Sequence, residues 1–123
     1  MEAINPKNLN NSMFILATDQ AAIRKKAVCY LPGIKDGIWH LHSLRLIHND
    51  INPANIMLDN QGPVIVDFDS CRAPGESLNR VKRTYGWHDP NVRVSQESND
   101  LNALAELRIW VTSSSPADLQ FGG

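Results

Sequence analysis

The stretch His48-Asn49-Asp50-Ile51-Asn52-Pro53-Ala54-Asn55 constrains the fold most. It is polar and carries a proline, so it reads as a loop, and both flanks read as regular structure. Upstream, Leu31, Ile34, Ile38 and Leu41 are spaced three, four and three, one apolar face at the helical period. Pro32 and Gly33 interrupt that face, which predicts a kink or a helix restarting with Pro32 in its first turn. Leu46-Ile47 is long enough only for a small strand. Downstream, Ile56-Met57-Leu58 and Val64-Ile65-Val66 are short apolar runs separated by Asp59-Asn60-Gln61-Gly62-Pro63, a hairpin signature.

Two further segments complete the pattern. Residues 69–97 hold Pro74, Gly75, Gly86 and Pro90 with little periodicity, which predicts a long irregular segment of the kind that is functional or mobile. Ser98-Asn99-Asp100 resembles a helix cap, and Leu101, Leu104, Ala105, Leu107, Ile109, Trp110 and Val111 follow as an apolar helix suited to the centre of a larger body. The expected class is therefore α+β and mainly helical. Residues 1–20 read as an irregular N-terminal segment, 21–111 as the core, with a basic patch at Arg24, Lys25 and Lys26, and 112–123 as a frayed tail.

Composition narrows the function. The chain has 123 residues, 42% hydrophobic and 20% charged, enough for one modest domain or one lobe of something larger. Twelve Lys and Arg against 13 Asp and Glu give a net charge of −1, which argues against nucleic acid or an anionic membrane as partner. Cys29 and Cys71 form neither a disulfide framework nor a CxxC pair and read as buried or incidental thiols. The N-terminus lacks the basic and apolar blocks of a signal peptide, and no apolar run is long enough to span a bilayer. The expected location is therefore inside the cell, in the cytoplasm.

Three side chains stand out. Asp50 and Asn55 lie five apart on one loop, and the hairpin delivers Asp67 twelve residues on, so the three are expected to meet at its mouth. Mg²⁺ takes hard oxygen ligands and is usually held by one or two protein oxygens plus substrate phosphates, which Asn55 and Asp67 can supply. Asp50 is then left to act as base or to orient a substrate hydroxyl. Turn chemistry explains each residue alone, but not the trio at this spacing.

With these residues in view, the chain resembles the large, C-terminal lobe of the eukaryotic protein-kinase family, whose catalytic loop reads H-R-D-L-x-x-x-N and whose metal loop reads D-F-G. His48 to Asn55 resembles the catalytic loop, 67–69 the metal loop, 67–91 the activation segment and 99–111 the central helix. Residues 40–50 are similar to the helix and strand leading in, and Thr84-Tyr85-Gly86-Trp87-His88-Asp89-Pro90 to a divergent end of the activation segment. The resemblance implies that Asp50 is the catalytic base and that Asn55 and Asp67 bind Mg²⁺ and, through it, ATP. Asn52 falls at a catalytic position where Ser/Thr-type members carry a Lys that neutralises the transferring phosphate, a charge an amide cannot supply. His48 and Phe68 are implied to be structural residues aligning the site. Asp100 is implied to be buried and to cap backbone amides near His48, although an ordinary N-cap role is also open to it.

The departures matter equally. Asn49 stands in place of the Arg that in many members pairs with a phosphorylated activation segment, which makes Ser70, Ser77, Thr84 and Tyr85 weak phosphorylation candidates. Arg80, Lys82 and Arg83 read as a solvated basic loop, and Asp69, in place of Gly, as a solvent-facing carboxylate. No G-x-G-x-x-G and no V-A-I-K-like Lys is present, so nucleotide binding by this stretch alone is expected to be weak or absent. The reading is a protein-kinase-like phosphotransferase acting on a protein Ser/Thr hydroxyl. Two alternatives stand beside it: a small-molecule kinase similar to aminoglycoside and choline kinases, and a non-catalytic pseudokinase serving as a binding module.

Overall fold

A computed structural model of the chain describes residues 28–59, 62–112 and 116–121. The expectations for residues 1–20 and for the basic patch at 24–26 lie outside this range. Helix α1 spans Leu31–Ser43 and carries its proline in the first turn, so of the two possibilities at Pro32 the restart is the one observed. Proline is tolerated there because the first helical N–H groups have no intrahelical acceptor. Leu31, Ile34, Ile38 and Leu41 are buried, as their spacing requires. The helix ends with Leu44 N–H donating to the His40 and Leu41 carbonyls, and Arg45 follows at φ 60°.

Strands β1 (Ile56–Asp59) and β2 (Gly62–Ile65) form the antiparallel hairpin, in register Ile56 with Ile65 and Asp59 with Gly62. The hairpin lies close against α1 because α1 presents glycines there. A Cβ on Gly33 would sit 2.9 Å from Pro63 Cγ, and one on Gly37 would sit 2.9 Å from Ile65 Cδ1.

Helix α2 spans Glu97–Thr112 and begins two residues before the expected start. Asp100 therefore sits within its first turn and not at the N-cap, which corrects the simple capping role. Ala103, Leu104, Leu107 and Val111 form its buried stripe, whereas Leu101 is exposed. They close a core with Leu31, Ile34 and Ile38 of α1, Ile56 of β1, Ile51 from the loop and Trp87 from the irregular segment. Trp87 packs edge-on against Trp110, ring centroids 6.1 Å apart.

Residues 67–91 contain no regular strand or helix, and two isolated bridges are among the bonds that tie them down. Ile47 bridges Arg72, which is all that forms of the small strand at 46–47, and Ser77 bridges Val94. The tail departs from expectation. Residues 116–118 form a 3-10 turn, and the Gln120 and Phe121 N–H groups donate to the two oxygens of Glu106 at 2.7 and 2.5 Å. Glu106 is a carboxylate only 1% exposed on a helix that reads as apolar, and it holds residues that composition suggests would fray. Among the described residues no helix is long and apolar enough to cross a membrane.

Candidate active site

The loop between α1 and β1 is organised by α2. Asp100 is fully buried, and its carboxylate accepts from the His48 N–H at 2.9 Å and the Asn49 N–H at 2.8 Å. It also hydrogen-bonds His42 Nε2 at 2.9 Å. Two consecutive amides aimed at one carboxylate require a sharp backbone, and Asn49 adopts φ 69°, a left-handed conformation that Asn tolerates better than most residues.

His48 is fully buried and links three parts of the site. Its Nε2 lies 2.9 Å from the Val66 carbonyl, and the Asp50 N–H donates to its Nδ1 at 3.1 Å, a pair of bonds that fits the Nε2–H tautomer. Phe68 meets the His48 ring edge-on at 5.5 Å but remains half exposed.

Asp50 is surrounded by donors. Its Oδ1 accepts from Thr84 N–H at 2.8 Å and Asn52 Nδ2 at 3.2 Å, and its Oδ2 accepts from Thr84 Oγ1 at 3.2 Å and Asn55 Nδ2 at 3.3 Å. These bonds fix the direction of the carboxylate lone pairs. Asn52 earns its place through geometry: its Oδ1 caps the 3-10 turn Pro53–Asn55 by accepting from Ala54 N–H, while its Nδ2 reaches both Asp50 and Thr84 Oγ1. Asn52 thus presents a neutral donor beside Asp50.

Asn55 is buried, and its Nδ2 donates to the Asp50 carbonyl at 2.9 Å, which leaves its Oδ1 without a hydrogen bond among the described residues. The Asn55 carbonyl accepts from Val66 N–H at 2.9 Å, so Asp67 emerges directly beyond the point where hairpin and loop are joined. Asp67 is exposed, with φ 62°, and among the described residues its carboxylate makes one long contact, 3.4 Å from Asp69 N–H. Asp50 and Asn55 are therefore bonded to each other, whereas Asp67 is positioned by backbone alone. Asp69 faces solvent. The left-handed conformations at Asn49 and Asp67 flank the same cluster, a distribution of backbone strain typical of functional sites.

Sequence reasoning missed several participants. Thr84, weighed only as a phosphorylation candidate, bonds Asp50 twice. Arg83, read as part of a solvated loop, is half buried and donates from Nε to the Asn49 carbonyl at 2.6 Å. The Asn49 Nδ2 donates to the Ile47 and Ser70 carbonyls and to Ser95 Oγ, and its Oδ1 accepts from Asn99 Nδ2. This buried amide network ties the start of the irregular segment to α2. Neither thiol is fully buried; the Cys71 pKa is raised, first by burial and then by the Asp100 charge, which keeps it a poor nucleophile.

Residues 1–110 match the family model described as the protein kinase domain. The chain belongs to the protein kinase family. Within that family it is similar to a serine/threonine-protein kinase/endoribonuclease IRE1 of Hypocrea jecorina, 33% identical over 90 residues covering 60% of this chain and 7% of that protein. A G-type lectin S-receptor-like serine/threonine-protein kinase of Arabidopsis thaliana is 27% identical over 94% of this chain and 15% of its own length. The human serine/threonine-protein kinase Sgk2 is 37% identical over 60 residues, 48% of this chain and 16% of that kinase. The protein kinase chain described here thus spans a small part of each relative.

Proposed function

We propose that this chain carries the acceptor side of a protein-kinase active site, transferring the γ-phosphoryl group of ATP to a Ser or Thr hydroxyl of a protein. The observation that carries the reading is the Asp50 carboxylate, held by Asn52, Thr84 and the buried Asn55, whose Oδ1 makes no hydrogen bond among the described residues. The serine/threonine kinases it resembles support a protein acceptor over a small molecule.

Asp50 orients the incoming hydroxyl and takes its proton on Oδ2, where the hydroxyl displaces the long Thr84 Oγ1 bond, while the Asn52, Asn55 and Thr84 N–H bonds keep the carboxylate aimed. Thr84 and Asn52 hold the carboxylate in place, and His48 fixes the backbone beneath it. The donor set fits Mg²⁺: a buried amide oxygen at Asn55 with no hydrogen bond among the described residues and an exposed carboxylate at Asp67 are two hard oxygens on joined backbone. Among the described residues no group of three or more His, Cys, Asp or Glu is arranged to hold a metal, so a cation here would share its coordination with phosphate oxygens. When bound, Mg²⁺ neutralises phosphate charge. Asn52 contributes no positive charge to that task.

The test is a thermal-shift titration of the chain with millimolar ATP and Mg²⁺, followed by transfer of labelled phosphate to a Ser/Thr-rich protein. A rise in Tm that Asp67→Ala removes, with Asp67→Ala folded by circular dichroism, is the expected result. No rise in Tm at millimolar nucleotide refutes the proposal.

A further inference from the structure

Helix α2 buries two carboxylates, and the site described above uses only the first. Asp100 holds the amides of His48 and Asn49, whereas Glu106 holds those of Gln120 and Phe121. They stand six residues apart, so at 3.6 residues per turn they leave the helix about 120° from each other and serve different parts of the chain. Glu106 is fully enclosed and, among the described residues, forms no ion pair. A buried carboxylate without a cation is tolerated only while hydrogen bonds replace its lost hydration. The two tail amides supply those bonds, so releasing residues 120–121 would leave the charge uncompensated.

The docked tail faces the turn that follows Thr84. Gln120 and Phe121 border a gap of about 250 Å³ together with Tyr85, Gly86, His88 and Pro90. That volume is below the ~300–1,000 Å³ of a small-molecule site, which suits a joint between two parts of the chain better than a pocket for a ligand. Phe121 is half-buried there. The turn is gripped from its other side as well. Gly86 takes the left-handed φ of 87°, Trp87 N–H donates to the Thr84 carbonyl at 3.3 Å, and the Trp87 ring packs on Trp110 of α2. His88 Nδ1 lies 3.0 Å from the same carbonyl, while the Thr84 N–H donates to Asp50 Oδ1 at 2.8 Å.

The geometry points to Glu106 as a positioning residue for Asp50 that acts through the docked tail. Glu106 fixes residues 120–121, the tail braces the turn at 86–90, and the braced turn keeps the Thr84 N–H on the Asp50 carboxylate. The consequence for phosphoryl transfer rests on the reading of Asp50 given above, but the mechanical coupling does not. In this arrangement α2 steadies Asp50 twice, through Asp100 beneath the loop and through Glu106 by way of the tail.

Amide exchange of the full chain, followed residue by residue by NMR, tests the coupling without nucleotide. The Ile38 amide in α1 reports global opening and serves as the reference. In Glu106→Gln one tail amide loses its acceptor, and exchange at Thr84 is expected to quicken about three- to tenfold beyond any change at Ile38, the worth of one net hydrogen bond. Phe121→Ala keeps both tail amides on Glu106 but takes the ring out of the joint, and is expected to have the same effect. Phe121→Leu, which refills most of that space, should restore most of the Thr84 protection. If Glu106→Gln or Phe121→Ala leaves Thr84 exchange unchanged relative to Ile38, the tail and the turn are not coupled and the proposal is overturned. Equal acceleration at Thr84 and Ile38 also overturns it, because Glu106 then serves global stability alone. Transfer of labelled phosphate by the same variants separates the two readings. A Thr84 effect in a chain that transfers no phosphate supports the brace and counts only against Asp50 as the base.

Discussion

Asp100 offers the sharpest test of how α2 builds the catalytic loop. Its buried carboxylate is the acceptor for two consecutive backbone amides, at His48 and Asn49, and for His42. Asp100→Ala leaves both amides buried without a partner, each at a cost of about 1–3 kcal/mol. Removing one member of a buried charged network typically costs about 3–5 kcal/mol, and the same range is expected here. A domain of this size has only ~5–15 kcal/mol to lose, so a graded variant is needed beside the deletion. Asp100→Asn keeps one acceptor oxygen but turns an NH₂ group towards an amide donor, and should fall between wild type and Ala. Urea unfolding followed by tryptophan fluorescence reads the global loss, because Trp87 and Trp110 both pack at the core. Amide hydrogen exchange at His48 and Asn49 reads the local one, and should accelerate in Asp100→Asn before the core amides of α1 do. If Asp100→Ala lies within about 1 kcal/mol of wild type with exchange at those two amides unchanged, the carboxylate does not hold the loop and the reasoning fails.

Other perturbations probe the remaining joints. Glu106→Ala should cost about 2–4 kcal/mol and make residues 116–121 the first site of limited proteolysis, since the Gln120 and Phe121 amides lose their acceptor; a tail as resistant as in wild type refutes the tether. Gly33→Ala should destabilise by roughly 1–2 kcal/mol, because its Cβ meets the rigid Pro63 ring. Gly37→Ala meets only the end of the Ile65 side chain and regains up to ~1 kcal/mol of helix propensity, so it should be near neutral; the reverse order in urea midpoints would sink this account. The His88 pKa is lowered by burial and by Arg83, against the Thr84 hydrogen bond and the Asp50 and Asp89 charges. The native state therefore holds this proton less readily than the unfolded chain does. Its contribution to stability is complete above the ordinary imidazole value of about 6.5 and is lost as pH falls through the lower folded value. An NMR titration of the His88 ring with its midpoint at or above that ordinary value contradicts this.

Much of the framework was legible because it follows from local periodicity. The three-four-three spacing of Leu31, Ile34, Ile38 and Leu41 allows only one buried face, and the runs at 56–58 and 64–66 around Gly62-Pro63 leave little besides a hairpin. The family followed from motifs of fixed order, and the match to residues 1–110 agrees. What periodicity does not encode is which polar residue meets which across long separations. Nothing local distinguishes Glu106, which serves the tail, from an exposed helical glutamate, or Arg83, packed on the Asn49 carbonyl, from its solvated neighbours Arg80 and Lys82. Thr84 bonds Asp50 across 34 residues, and Asp100 reaches His48 across 52. Side-chain type and spacing determined the elements and the chemistry available to the chain. Only the tertiary structure decided which of those groups are bonded, which are buried, and which are left unspent. Hydrogen bonds and desolvation act over a few ångströms in space, whatever the distance along the chain.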